Sequence, residues 1–113
     1  MITYSDNLYL TDKTRKKIDK IKQKIDTRSG MIGTVIIALS QNEKDVFELL
    51  SAHVFKGSIS TRRDVHIIGV AENKEAAMSL VADMTEEYLS YIEGLNENDS
   101  RITMREYFIK KCR

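Results

Sequence analysis

Hydrophobic residues occur along this chain either in short unbroken runs or at helical spacing. Residues 34–40 and 65–71 are apolar at nearly every position, which is typical of strands covered on both faces. Residues 74–93 carry apolar side chains at intervals of three and four, which predicts a helix. Residues 42–56 have a similar spacing and we predict a helix there too. A strand remains open for residues 46–55, because two β-branched and two aromatic residues lie within them.

The chain repeats itself at an offset of 31 residues. Residues 36–42 (IIALSQN) return as residues 67–73 (IIGVAEN), and each copy ends on an asparagine, Asn42 or Asn73, where a helix N-cap belongs. The repeat therefore predicts one strand–helix module used twice in tandem over residues 34–93.

Three further segments flank the repeat. A helix is predicted from Thr11 or Asp12 to residue 28, with Ile18, Ile21 and Ile25 on one narrow apolar stripe. Residues 102–109 read as a strand, and the charges inside this run favour a position at a sheet edge. Residues 1–10 suit either an N-terminal arm or a short strand.

The order of these elements predicts a single α/β domain over residues 1–113. A strand, a helix and a second strand form a βαβ unit, whose crossover is right-handed in nearly all known cases. The resulting model is a small three-layer α-β-α-β-α-β domain. Its sheet would have three mostly parallel strands in the order 2-1-3, with helices on both faces. Because such a sheet leaves two edges exposed, we expect a homodimer.

Length and composition narrow the class of protein. A chain of 113 residues can bury one core, and its single cysteine, Cys112, excludes an internal disulfide. The longest apolar run has five residues, far below the roughly 20 that span a bilayer, and no signal pattern opens the chain. We therefore expect a cytoplasmic protein that does not enter a membrane.

Charge is sorted into blocks along the chain, although the net charge is only +1. Residues 1–30 hold eight basic and four acidic side chains, and residues 101–113 hold five basic and one acidic. Residues 72–100 hold eight acidic side chains and one lysine. Such blocks suit a basic segment folded onto an acidic helix, an interface between chains, or a basic surface for an acidic partner.

A ligand crevice is the first candidate site. If the two repeated strands are parallel, Ser40, Asn42, Ala71 and Asn73 lie side by side at the carboxyl end of the sheet, where open α/β sheets bind ligands. Acidic residues in the following first turns oppose an anion there, and the turns lack the glycines of a nucleotide-binding loop. The simpler interpretation makes both asparagines helix caps only.

The basic first helix is the second candidate. Its lysines can neutralise phosphates without reading base sequence. They are Lys13, Lys16, Lys17, Lys20 and Lys24, of which all but Lys16 form a ridge at helical spacing beside the isoleucines. Arg62 and Arg63 would add to this patch if they lie nearby. An acidic protein, the acidic segment 72–100 of the same chain, or solvent alone would also suit these lysines.

Candidate chemistry is sparse. His53, His66 and Cys112 do not form metal-ligand spacing, so we predict no metal and no cofactor, with both histidines structural. Lys111 and Arg113 beside Cys112 would favour its thiolate if the tail is exposed. The leading hypothesis is a non-catalytic binding or protein-interaction module that self-associates. The alternative is a nucleic-acid-associated accessory protein that uses the basic helix, and an enzyme ranks third.

Overall fold

Four strands and four helices make up the described part of the chain. The computed structural model describes residues 2–27, 29–42, 44–55 and 64–112. The strands are β1 (Ile2–Leu10), β2 (Val35–Leu39), β3 (Phe47–Ser51) and β4 (Val65–Ala71). The helices are α1 (Asp12–Lys16), α2 (Ile18–Asp26), α3 (Lys74–Glu93) and α4 (Met104–Lys111), and a 3-10 turn covers Ala52–Phe55. The α/β class predicted from the pattern is confirmed.

The sheet has four strands in the order β1-β4-β2-β3. β1 and β4 are parallel, whereas β2 is antiparallel to both β3 and β4. The prediction of a mostly parallel, three-stranded sheet in the order 2-1-3 is therefore wrong. Its error lies in the segment after β2, which returns along the sheet as a neighbouring strand instead of crossing over it as a helix.

The β2–β3 hairpin explains this reversal. The Asn42 side chain accepts a hydrogen bond from the backbone of Lys44 at 3.0 Å, and Asp45 donates its backbone N–H to the Asn42 carbonyl at 3.0 Å. Asn42 thus forms a turn and caps no helix. The predicted helix over residues 42–56 is wrong, and the strand alternative is confirmed for Phe47–Ser51. Consequently the tandem strand–helix repeat over residues 34–93 does not form.

The N-terminal segment forms the strand that was one of its two predicted alternatives, whereas the C-terminal segment differs from its prediction. Residues 2–10 form the strand β1, whose parallel pairing with β4 is interrupted between Tyr4 and Tyr9. The segment 102–109, predicted as an edge strand, instead contributes most of α4. Thr103 caps this helix by accepting a hydrogen bond from the backbone of Glu106 at 3.1 Å, and Phe108 is fully buried beneath it.

Helices cover both faces of the sheet, but α2 takes the place that was predicted for a helix over residues 42–56. On one face, α2 packs Ile21 and Ile25 against Ile36, Ile67 and Val70 of the central strands. On the other, α3 and α4 enclose a second cluster of buried residues. Its members are Ile37, Ile68, Met84, Phe108 and Cys112. β4 has a bulge of one extra residue relative to β2, because Ile37 pairs with Gly69 while Ala38 pairs with Ile67. With this bulge, Ile67 and Val70 both face the first cluster, and Ile68 faces the second.

The long helix α3 has the bounds that its periodicity predicted. Asn73 caps it, since its side chain accepts a hydrogen bond from the backbone of Ala76 at 2.7 Å. Ala77 and Met84 are fully buried against the sheet. The acidic residues Glu75, Asp83, Glu86 and Glu93 are exposed on its outer surface.

Candidate functional site

The predicted strand-end crevice does not form. Because β2 and β4 are antiparallel, Val35 at the start of β2 pairs with Ala71 at the end of β4. Ser40 and Asn42 therefore lie at one end of the sheet, and Ala71 and Asn73 lie at the other. Asn73 is a helix cap, as the simpler interpretation had it, and Ala71 is buried beside Val35 and Ala77.

A cleft of about 470 Å³ does lie at the Ser40 end, but its polar groups bond to one another. The His66 Nδ1 and Thr3 Oγ1 atoms are 2.7 Å apart, and His66 Nε2 is hydrogen-bonded to the backbone carbonyl of Cys112. Arg105 donates to the Ser40 carbonyl at 3.3 Å. These contacts tie the chain's last helix to the sheet, in agreement with the structural role predicted for His66.

Four of the five predicted lysines line a cleft on the opposite face and end of the sheet. We call it the lysine cleft; its volume is about 440 Å³. Its basic residues are Lys13, Lys17, Lys20 and Lys24, and its other walls are formed by Thr14, Ile21, Met31, Ile32, Thr34 and Glu72. Lys16 does not line it, and Arg62 and Arg63 lie outside the described residues.

Local structure holds the lysines on this cleft. Thr11 caps α1 in a capping box with Thr14, and the buried Thr14 hydroxyl donates to the Val70 carbonyl at 2.9 Å. These bonds fix the start of the basic segment at the carboxyl end of β4. Ile21 and Ile25 then hold α2 against the sheet. Because the lining lysines follow at intervals of four, three and four residues, they share one stripe beside this anchored face.

The loop after α2 supplies the apolar wall of the cleft. Gly30 and Gly33 have φ values of 77° and 91°, in the left-handed region that favours glycine. These two turns hold Met31 and Ile32 between them, and the side chain of Ile32 is 94% exposed. Sequence reasoning missed this wall, although two large hydrophobic residues between closely spaced glycines were a visible signal.

The charge in the lysine cleft is strongly positive. Four ammonium groups face one acidic lining residue, Glu72, and the Glu72 carboxylate already accepts a hydrogen bond from the Thr11 hydroxyl at 2.6 Å. All four lysines are exposed. The cleft can therefore accept several anionic groups arranged in a row, and it has an apolar wall at one side.

The acidic helix α3 lies across the sheet from these lysines. Of the three interpretations of the charge blocks, a basic segment folded onto the acidic helix describes the C-terminal segment, where the Lys111 ammonium group lies 2.6 Å from the Glu87 carboxylate. The lysines of α1 and α2 and the exposed carboxylates of α3 occupy opposite faces. We call these the basic face and the acidic face, and α4 also brings Arg105, Lys110 and Lys111 to the side of α3.

Glu87 is the centre of a polar cluster on the acidic face. Its carboxylate accepts hydrogen bonds from the hydroxyls of Tyr9 at 2.8 Å and Tyr107 at 2.7 Å, in addition to Lys111. Burial opposes ionisation, but the hydrogen bonds from Lys111, Tyr107 and Tyr9 outweigh it and lower the pKa of Glu87. Burial and the hydrogen bond to Glu87 raise the pKa of Tyr107 to about 12 and raise that of Tyr9 as well.

The Glu87 cluster has the properties of a structural contact between elements. A general acid would need a carboxyl with a raised pKa, and a tyrosine nucleophile would need a lowered one. Both shifts run in the opposite direction here. The cluster instead links β1, α3 and α4, and no periodicity in the sequence indicates a contact between residues so far apart.

Cys112 differs from its prediction. The side chain is fully buried, and burial raises the pKa of its thiol, so the activation predicted for an exposed tail does not apply. Within the described ranges, potential metal ligands do not gather in groups of three or more. None of the helices described is long and apolar enough to cross a bilayer.

Comparison of the chain with family models, curated proteins and solved structures gave no match. The lysine cleft is the feature of the molecule that bears on its function.

Proposed function

We propose that the protein is a non-catalytic binding module that holds nucleic acid by its phosphate backbone in the lysine cleft. The observation that carries the proposal is the stripe of four lysines along one cleft, opposed by a single carboxylate that is already hydrogen-bonded. Several ammonium groups in a row match a ligand that carries regularly spaced anions.

The length of the stripe fits a nucleic-acid strand. From Lys13 to Lys24, α1 and α2 together span at most about 16 Å, at roughly 1.5 Å per residue. One strand of B-DNA advances roughly 3.4 Å along the duplex axis per nucleotide, so the stripe is long enough for each of its four lysines to reach a different phosphate. Lysine side chains are flexible point charges and can follow such a backbone without fixed geometry.

The residues between the lysines favour binding that is independent of base sequence. Among the residues that the structure describes, the cleft lining includes no aromatic ring on which a base could stack and no arginine or amide for bidentate contact with a base edge. The exposed carboxylates of α3 repel a polyanion on the other side of the sheet, which favours the lysine cleft as the docking side.

The proposal is tested by fluorescence anisotropy on a labelled duplex of arbitrary sequence. Four neutralised phosphates predict a slope of about −3.6 for log K against log salt, which is about a hundredfold loss of affinity between about 50 and 200 mM salt. Absence of binding at about 50 mM salt would reject the proposal.

Two neighbouring lysines provide a matched pair of variants. Lys17→Gln removes a cleft lysine and should reduce the magnitude of the slope by about 1. Lys16→Gln removes an adjacent, equally exposed lysine that does not line the cleft, and should leave the slope unchanged. Equal effects of the two variants would show that general positive charge, and not the lysine cleft, attracts the duplex.

A further inference from the structure

Exposed hydrophobic side chains coincide with the two charged surfaces of the molecule. Among the described residues, three large hydrophobic side chains have more than half of their surface exposed: Ile32 at 94%, Met78 at 53% and Leu89 at 51%. Ile32 belongs to the wall of the lysine cleft, whereas Met78 and Leu89 lie on α3. Each charged surface therefore carries its own exposed apolar component.

The outer surface of α3 has its charges in a row beside its apolar residues. Met78, Ala82 and Leu89 follow at intervals of four and seven, which places them on one stripe of the helix. At 100° per residue, Glu75, Glu86 and Glu93 fall within about 20° of one another, on the same side of that stripe. We call these six residues the acidic helix face, and Lys74 is the only basic residue of α3.

The lysine cleft has the complementary arrangement. A row of ammonium groups runs along α1 and α2, and the apolar residues Ile21, Met31 and Ile32 lie beside it. Glu86 and Glu93 are about 10 Å apart along α3, so both fit within the roughly 16 Å of the lysine stripe, whereas Glu75 lies beyond it. Leu89 lies between these two glutamates along the helix and would meet the apolar wall. We infer that the acidic helix face of one molecule docks in the lysine cleft of a second copy of this chain.

The fold determines the form of such an assembly. The two surfaces lie on opposite faces of the sheet, so one molecule cannot bring them together within itself. A contact between two different surfaces is heterologous, and it repeats from molecule to molecule as a head-to-tail chain or closes into a ring. Each molecule then uses one cleft and one helix face.

A two-fold contact between two copies of α3 is the competing arrangement. It would bury the same apolar stripe, but it would bring two rows of carboxylates together with only the Lys74 side chains as cations. Like charges across an interface are destabilising. Charge complementarity therefore favours the heterologous contact.

This inference goes beyond the proposed function and shares its cleft. A second copy and a nucleic acid would compete for the same lysines, so duplex DNA should dissociate the assembly. The contact is formed by exposed charges and should weaken as salt rises.

Sedimentation velocity without nucleic acid tests the inference. At high micromolar concentration and about 50 mM salt, the wild-type chain should form species larger than a dimer, and at about 500 mM salt it should be monomeric. A wild-type chain that stays monomeric at high micromolar concentration and low salt would overturn the inference.

Two variants separate the heterologous contact from the two-fold one. Lys20→Glu damages the cleft and leaves the helix face intact, whereas Leu89→Asp damages the helix face and leaves the cleft intact. Both residues are exposed, and circular dichroism checks that each variant folds. Each variant alone should be monomeric, and an equimolar mixture should form one-to-one dimers and nothing larger, because only one intact pair of surfaces remains.

The remaining outcomes are also decisive. If Lys20→Glu alone associates as well as wild type, the contact is between two helix faces and the inference is wrong. If the mixture stays monomeric, the two surfaces do not bind each other. The Leu89→Asp variant keeps its lysine cleft, so its binding to duplex DNA tests the proposed function separately from self-association.

Discussion

The two faces of the sheet use charge in different ways. On the basic face, α2 is held by Ile21 and Ile25, and its Lys20 and Lys24 side chains extend into solvent. On the acidic face, the carboxylate of Glu87 is used inside the molecule, where it joins Tyr9, Tyr107 and Lys111. The charges available to a partner are therefore those that the fold does not already neutralise.

The two faces also differ in the kind of side chain that packs against the sheet. The ring of Phe108 lies edge-on to the rings of Phe47 and Tyr107, at centroid distances of 5.1 and 5.0 Å. The contact with Phe47 joins α4 to β3, and Tyr107 is the neighbouring residue in α4. The basic face is closed by the aliphatic side chains Ile21 and Ile25 of α2. We therefore expect damage to the acidic face to affect stability, and damage to the lysine stripe to affect binding.

The largest expected effect is that of Phe108→Ala. This change removes a fully buried aromatic ring and leaves a cavity, which should lower the free energy of unfolding by about 3–5 kcal/mol. Urea denaturation followed by circular dichroism measures the loss. A loss below about 1 kcal/mol would mean that α4 is not anchored by this ring.

Glu87→Gln should have the next largest effect. The variant loses the ion pair with Lys111 and weakens the bonds from both tyrosines, at a cost of about 1.5–3 kcal/mol. Because the pKa of Glu87 is lower in the folded protein than its ordinary value of 4.5, its contribution is present at neutral pH and is lost as the pH falls below that value.

The pH dependence provides the control for this variant. Unfolding free energies of wild type and Glu87→Gln, measured between about pH 3 and pH 7, should converge at the acidic end. A constant difference across that range would show that the lost stability comes from packing and not from the ionised carboxylate.

Asn73→Ala should have a smaller effect, again on the acidic face. It removes the side-chain cap of α3, so the free energy of unfolding should fall by about 1 kcal/mol. Asn73→Ser, which retains a capping oxygen, serves as the control in the same denaturation experiment. If the serine variant loses as much as the alanine variant, the cap does not stabilise the helix.

Lys20→Gln on the basic face should have the smallest effect on stability. The side chain is exposed, and the free energy of unfolding should change by no more than about 0.5 kcal/mol, while duplex affinity at low salt falls. Denaturation and anisotropy on one preparation compare the two effects. A stability loss as large as that of Glu87→Gln would remove the distinction between the faces.

The repeat shows what the sequence pattern could and could not predict. Residues 36–42 and 67–73 are similar, and both contribute strands, β2 and β4, close to the predicted bounds. Their asparagines then act differently: Asn42 forms a turn into β3, and Asn73 caps α3. An asparagine side chain serves either purpose, so the outcome depends on the residues that follow and on the pairing they find.

Other parts of the fold were present in the sequence as local signals. Thr103 followed by Glu106 has the spacing of a capping box, and this pattern indicates a helix where the apolar run 102–109 suggested a strand. For the candidate site, helical spacing identified the lysine stripe. The cleft depends in addition on Ile32 and Glu72, which approach only through tertiary structure.

The pairing of β1 with β4 has a consequence for synthesis of the chain. Ile2 lies opposite Val65, so β1 cannot pair with β4 until more than sixty further residues have been made. Of the described strand pairs, β2 with β3 is the one that can form early from neighbouring residues. Closure of the sheet therefore awaits the appearance of β4, and β1 lacks its native partner throughout that interval.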